Sequence, residues 1–146
     1  MKDVFNLDRF LAAQDAPVGS GRSVYQTATV ELEAGRKASH WMWFVFPQIH
    51  GLGQSAMSRH FAISSKEEAQ AYLAHPVLGP RLVECVNLTL RVEGRNAYQI
   101  FGSPDDLKFH SSLTLFAIAA PERDEFRAAL RKYFRDELDP ATAARV

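Results

Sequence analysis

No stretch of this chain alternates apolar and polar residues over the length of a strand, whereas signals that start and stop helices recur from one end to the other. Such a pattern demands helices packed on helices. The 146 residues fit one domain, residues 1–146, and a globule of about this size buries roughly 68–70% of its unfolded chain's surface. We therefore expect an all-α, single compact domain of five to seven helices.

The signals place the elements in order. Asn6 reads as the N-cap of a helix carrying Leu7, Phe10, Leu11 and Gln14, with Phe5 stapled onto Phe10. Residues 15–23, with Pro17, Gly19 and Gly21, read as loop; their GSGRS lacks the Walker Lys-Ser/Thr and a preceding strand, so it is not a phosphate cradle. Residues 24–34 form a second helix stopped by Gly35. Ser39 caps a short segment through Phe46, where Pro47 ends it; a buried strand is the rival for this all-apolar run, and helix is preferred. Residues 48–58 read as loop. Ser65-x-x-Glu68 is a capping box whose helix ends before His75-Pro76, and Pro80 opens the next, with Leu82, Cys85 or Val86, and Leu90 inward and Gly94 closing it. Residues 97–101 make a short turn ended by Gly102. Ser103-Pro104-Asp105-Asp106 then supplies an N-cap Ser, Pro at N1 and acids in the first turn of a helix with Phe109, Leu113, Phe116 and Ala120 inward. Pro121-Glu122 opens the last long helix, and Asp139-Pro140 caps a terminal segment.

Composition excludes several functions. Lys plus Arg equals Asp plus Glu, 17 each, so no global field favours an extended nucleic-acid surface or an anionic membrane. One cysteine, Cys85, permits neither an internal disulfide nor a multi-cysteine zinc site, and its apolar context reads as a buried thiol. With no hydrophobic leader and no apolar run of spanning length, a cytoplasmic protein is expected. The five histidines are too dispersed for a metal pair, no G-x-S-x-G elbow or S-x-x-K arrangement is present, and no cofactor is expected.

What remains is a constellation of acids, cations and aromatics around residues 35–58, which hold both tryptophans. Glu31 and Asp105 are the candidate catalytic acids. Arg36, Lys37, His40, Gln48, Lys108, Ser111 and Ser112 are candidate ligand-binding polar groups, with Trp41 and Trp43 as stacking surfaces. The inventory suits a nucleotide or ADP-ribose-like small molecule in a pocket between the aromatic segment and the helix start at 103–112, with glycosidic-bond hydrolysis as its enzymatic form. The alternative is a non-catalytic helical interaction module in which residues 41–46 are core or partner interface. Oligomeric state is not legible.

The run GRKASHWMWFVFPQIHGLGQSAMSRHFAISSKEEAQAYLAHPVLGPRL, followed by IFGSPDDLKFHSSLTLF, resembles the DUF1810 family, from Leu7-Asp8-Arg9-Phe10 through Tyr133-Phe134. The resemblance implies an all-α fold and no established biochemical role. Tyr25 with Glu31 and Lys37, His75-Pro76-x-Leu78, and Phe101-Gly102 ahead of a polar turn and a Leu-rich helix are similar in order to the NADAR (YbiA-like) N-glycosidases. That second resemblance implies substrates containing ADP-ribose or a pyrimidine riboside; the spacing of Tyr and acid differs, and Phe101 stands where that family usually has Trp.

Overall fold

A computed structural model of the chain describes residues 2–146. Among them are α1 (Asp8–Asp15), α2 (Val24–Glu33), α3 (Met42–Val45), α4 (Ala56–His60), α5 (Lys66–Ala74), α6 (Leu78–Arg91), α7 (Ala97–Phe101), α8 (Asp105–Ala119), α9 (Asp124–Phe134) and α10 (Pro140–Ala143). The domain is all-α as expected, but the described residues form ten helices rather than five to seven, six of them of seven or more residues. The surplus consists of one-turn pieces that periodicity cannot register. Among the described residues extended pairing is limited to isolated bridges, Pro17 with Ser23 and Ile49 with Ile63.

The fold is organised on α8, which packs against α3, α5, α7, α9 and α10. It buries Phe109, Leu113 and Phe116 on the expected stripe, and also Ser111, Thr114 and Leu115 on its other sides. Two aromatic clusters meet there. Phe46 sits edge-on to Phe109 with centroids 5.0 Å apart, and Phe101 stacks on Phe109 at 4.5 Å. Phe10 contacts Tyr72 at 5.1 Å and Phe61 at 5.7 Å, and Tyr72 in turn reaches Phe116 of α8 at 5.6 Å. Each fully buried phenylalanine stabilises the fold by about 1.5–3 kcal/mol.

Several expected boundaries move, each because another group takes the work. Asn6 does not cap α1: the Asp3 carboxylate accepts the Leu7 and Asp8 N–H groups at 2.7 and 2.8 Å. The segment opened by Ser39 shrinks to α3, because the Ser39 hydroxyl donates to Glu31 Oε2 at 2.6 Å instead of capping. The loop at 48–58 contains the start of α4, whose N-cap is Ser55. α6 starts at Leu78, ahead of Pro80, because first-turn N–H groups need no intrahelical carbonyl and His75 Nδ1 accepts those of Val77 and Leu78 at 3.1 Å each. Ser103 caps nothing: the Gly102 carbonyl takes the Asp106 N–H at 2.9 Å and the Pro104 carbonyl takes that of Leu107 at 3.0 Å. α9 begins at Asp124, after Pro121-Glu122. Ser65 caps α5 as expected, but Glu68 does not close the box; its carboxylate turns to Ser64 and Arg9. Asp139 accepts the Thr142 N–H and caps α10 as read.

Candidate functional site

The segment between α2 and α3 is held from below by Glu31. Gly35, at φ +74°, ends α2 with a backbone turn that glycine adopts without strain. The chain then doubles back over Glu31, whose Oε1 accepts the Ala38 N–H (2.8 Å), the Ser39 N–H (2.9 Å) and the Trp41 indole N–H (2.9 Å). Burial pushes this carboxyl upward, but the bonds from Ser39, Ala38 and Trp41 outweigh it and hold Glu31 below the ordinary carboxylate range. With both oxygens engaged by donors, the group positions the segment and is a poor acceptor for a further proton.

Above it, three separate pieces of chain converge. The Lys37 N–H donates to the Ile100 carbonyl at 2.7 Å, which ties the segment to α7. The Lys37 ammonium donates to the Ser39 carbonyl at 2.5 Å, pairs with Asp105 Oδ2 at 2.8 Å and lies 5.1 Å from the centroid of the Trp41 ring. On the other side of the same carboxylate, Lys108 approaches Asp105 Oδ1 at 3.5 Å and sits 4.9 Å over Trp43. One acid is thus flanked by two ammoniums, each over an indole. The Lys37 side chain is 7% exposed, while Asp105 and Lys108 are 21% and 22% exposed. Chemically, the cluster combines two ammoniums and one carboxylate beside the partly buried face of Trp43.

The structure therefore brings together Glu31, Lys37, Trp41, Trp43, Asp105 and Lys108. Trp41 is fully buried and offers no stacking face to solvent, and Met42, Phe44, Val45 and Phe46 are buried with it. Arg36 and His40 are exposed beside the segment. Gln48 is partly buried, and its carbonyl accepts the Ile63 N–H. Ser111 and Ser112 are not surface donors: both are buried, Ser111 donates to Asp139 Oδ2 at 2.9 Å, and Ser112 Oγ has no partner among the described residues. Ser111 is covered where α10 docks against α8 through Asp139, which residue type alone does not announce. Tyr25 turns away from Glu31 and Lys37 to donate to Glu84 at 2.7 Å. Cys85 is buried, and burial pushes its thiol up, away from the thiolate a nucleophile needs.

Sequence reasoning missed a second polar centre. Arg9 donates to the carbonyls of Phe5, Asn6, His60 and Ala62 and pairs with Glu68 at 2.8 Å. Glu68 is 2% exposed and also accepts from the N–H and hydroxyl of Ser64. The partners are 59 residues apart, and no local pattern links them. A shallow groove of about 490 Å³ lies over this pair, bordered by His60 and Arg59. Among the described residues no group of three or more His, Cys, Asp or Glu is arranged to hold a metal, and no helix is long and apolar enough to cross a membrane.

No curated protein matches the chain. The crystal structure of the conserved hypothetical protein Rv1873 from Mycobacterium tuberculosis is similar to it with a TM-score of 0.91 and 53% identity, over 97% of this chain and 96% of that one. The family model described as "Protein of unknown function (DUF1810)" matches residues 4–146, and the chain belongs to that family.

Proposed function

We propose that the protein binds a nucleotide or ADP-ribose-like small molecule at the Lys37–Asp105–Lys108 cluster. The observation that carries this reading is the single carboxylate between two ammoniums, with Trp43 at the cluster's edge. Lys108 is the more exposed of the two cations and turns toward a ligand phosphate, while Lys37 stays on Asp105. Trp43 offers its ring to the base, and Arg36 and His40 lie close enough in sequence to close over the ligand. In the enzymatic form water adds across the ribose C1′–N bond: Asp105 takes a proton from the water, C1′ gains the hydroxyl, and the base leaves with the bonding pair and a proton. Asp105 is assigned this role over Glu31, whose oxygens already accept four hydrogen bonds.

The test is titration with ADP-ribose followed by product analysis. Binding that is lost in Lys108→Met and retained without turnover in Asp105→Asn supports the assignment. Equal binding by both variants and the wild type removes it.

A second reading, a non-catalytic interaction module, is favoured by a different observation. Tyr98 and Leu107, on α7 and the first turn of α8, are 63% and 60% exposed. Light scattering tests it: a self-associating species dispersed by Tyr98→Ser/Leu107→Ser supports an interface, and a monomer at every concentration counts against self-association.

A further inference from the structure

A second concavity lies on α6, apart from the cluster just described. It has a volume of about 410 Å³, within the range of small-ligand sites, and is lined by Pro80, Val83, Glu84, Asn87, Arg91 and Arg123. Glu84, Asn87 and Arg91 are spaced three and four apart, so they form one stripe along α6. Arg123 reaches the same groove from the connection between α8 and α9.

Among the described residues, neither Arg91 nor Arg123 has an ion-pair partner. The one acid that lines the groove, Glu84, already accepts the Tyr25 hydroxyl at 2.7 Å. The fold explains one of the two cations: Arg91 lies in the last turn of α6, at its negative end. Arg123 has no such explanation. It occupies the N-cap of α9, the positive end of that helix, and its side chain caps nothing. The two guanidiniums border one concavity from two different elements and carry no ion pair, so an anion in the groove would meet cationic donors from both sides. Their planar forks match the oxygens of a phosphate, and the Asn87 amide adds a neutral donor.

We infer that this groove binds the phosphate group of a small phosphorylated molecule, with Arg91 and Arg123 as its anion ligands and Asn87 as the orienting donor. The site is independent of the Lys37–Asp105–Lys108 cluster, so either assignment stands if the other fails.

The experiment is a ¹H–¹⁵N titration of the full chain with inorganic phosphate, and with citrate as a carboxylate control at matched ionic strength, repeated on Arg91→Gln/Arg123→Gln. The expected result is saturable shifts centred on Asn87, Arg91 and Arg123, with affinity about tenfold or more weaker in the double variant, a loss of at least one interaction of about 1.4 kcal/mol. Unchanged thermal unfolding of the variant ties that loss to the groove. No saturable shift, undiminished binding by the variant, or equal binding of citrate overturns the inference. Shifts confined to Lys37, Asp105 and Lys108 also overturn it, while supporting the other site.

Discussion

The Glu31 carboxylate accepts the indole N–H of Trp41 at 2.9 Å, so an acid near the end of α2 fixes the orientation of a fully buried tryptophan. The same carboxylate carries two backbone N–H groups and a hydroxyl. In Glu31→Gln an amide NH₂ replaces one oxygen and confronts donors. The variant is expected to lose about 2 kcal/mol at neutral pH, read from urea unfolding.

That loss depends on pH in a definite direction. The folded-state value of Glu31 lies below its ordinary 4.5, so its contribution is complete above the unfolded value and disappears as pH falls through the folded one. The stability gap between wild type and Glu31→Gln should therefore narrow on acidification from pH 6 to about pH 3. A gap that stays constant contradicts the hydrogen-bonded carboxylate.

Gly79 in the first turn of α6 gives a prediction of opposite sign to helix propensity. Glycine to alanine in an unobstructed helix stabilises by about 0.5–1 kcal/mol. Here an added Cβ would lie 2.1 Å from the Leu73 carbonyl oxygen, so the end of α5 and the start of α6 must separate. Gly79→Ala is expected to destabilise by about 1–3 kcal/mol in thermal unfolding.

Arg9, with its side chain 11% exposed, and Glu68, at 3%, form a largely buried pair whose members depend on each other. Removing one leaves an uncompensated charge, so Arg9→Met should cost about 3–5 kcal/mol, and Arg9→Met/Glu68→Leu should recover part of that loss. A double variant as unstable as the sum of the singles would mean the two groups act separately.

The two tryptophans should separate core from site. Trp41→Ala removes a fully buried ring and is expected to cost about 3–5 kcal/mol; Trp43→Ala, at a partly buried position under Lys108, should cost clearly less. Chemical unfolding of both variants checks the ranking.

What the sequence conveyed was the presence of elements with local causes. Gly102, at φ +72°, ends α7, and Asp139-Pro140 opens α10, because each signal acts within a few residues of the backbone it governs. α4 was invisible because none of its residues is buried, which leaves no periodicity to read. Long-range partners were equally hidden. Ser39 looks like a cap until Glu31 takes its hydroxyl, and Ser111 looks like a surface donor until Asp139, 28 residues on, covers it. The convergence of Lys37, Trp43, Asp105 and Lys108 was legible as an inventory of residue types; the ion pairs among them required α8 to be laid against α3.

Whether the Lys37–Asp105–Lys108 cluster binds a ligand is decided by a ¹H–¹⁵N titration of the wild-type protein with ADP-ribose, repeated on Lys108→Met. Saturable shifts are expected at Lys37, Asp105, Lys108 and the Trp43 indole, with affinity about tenfold or more weaker in the variant. A wild-type spectrum unchanged at millimolar ligand would contradict binding at the cluster.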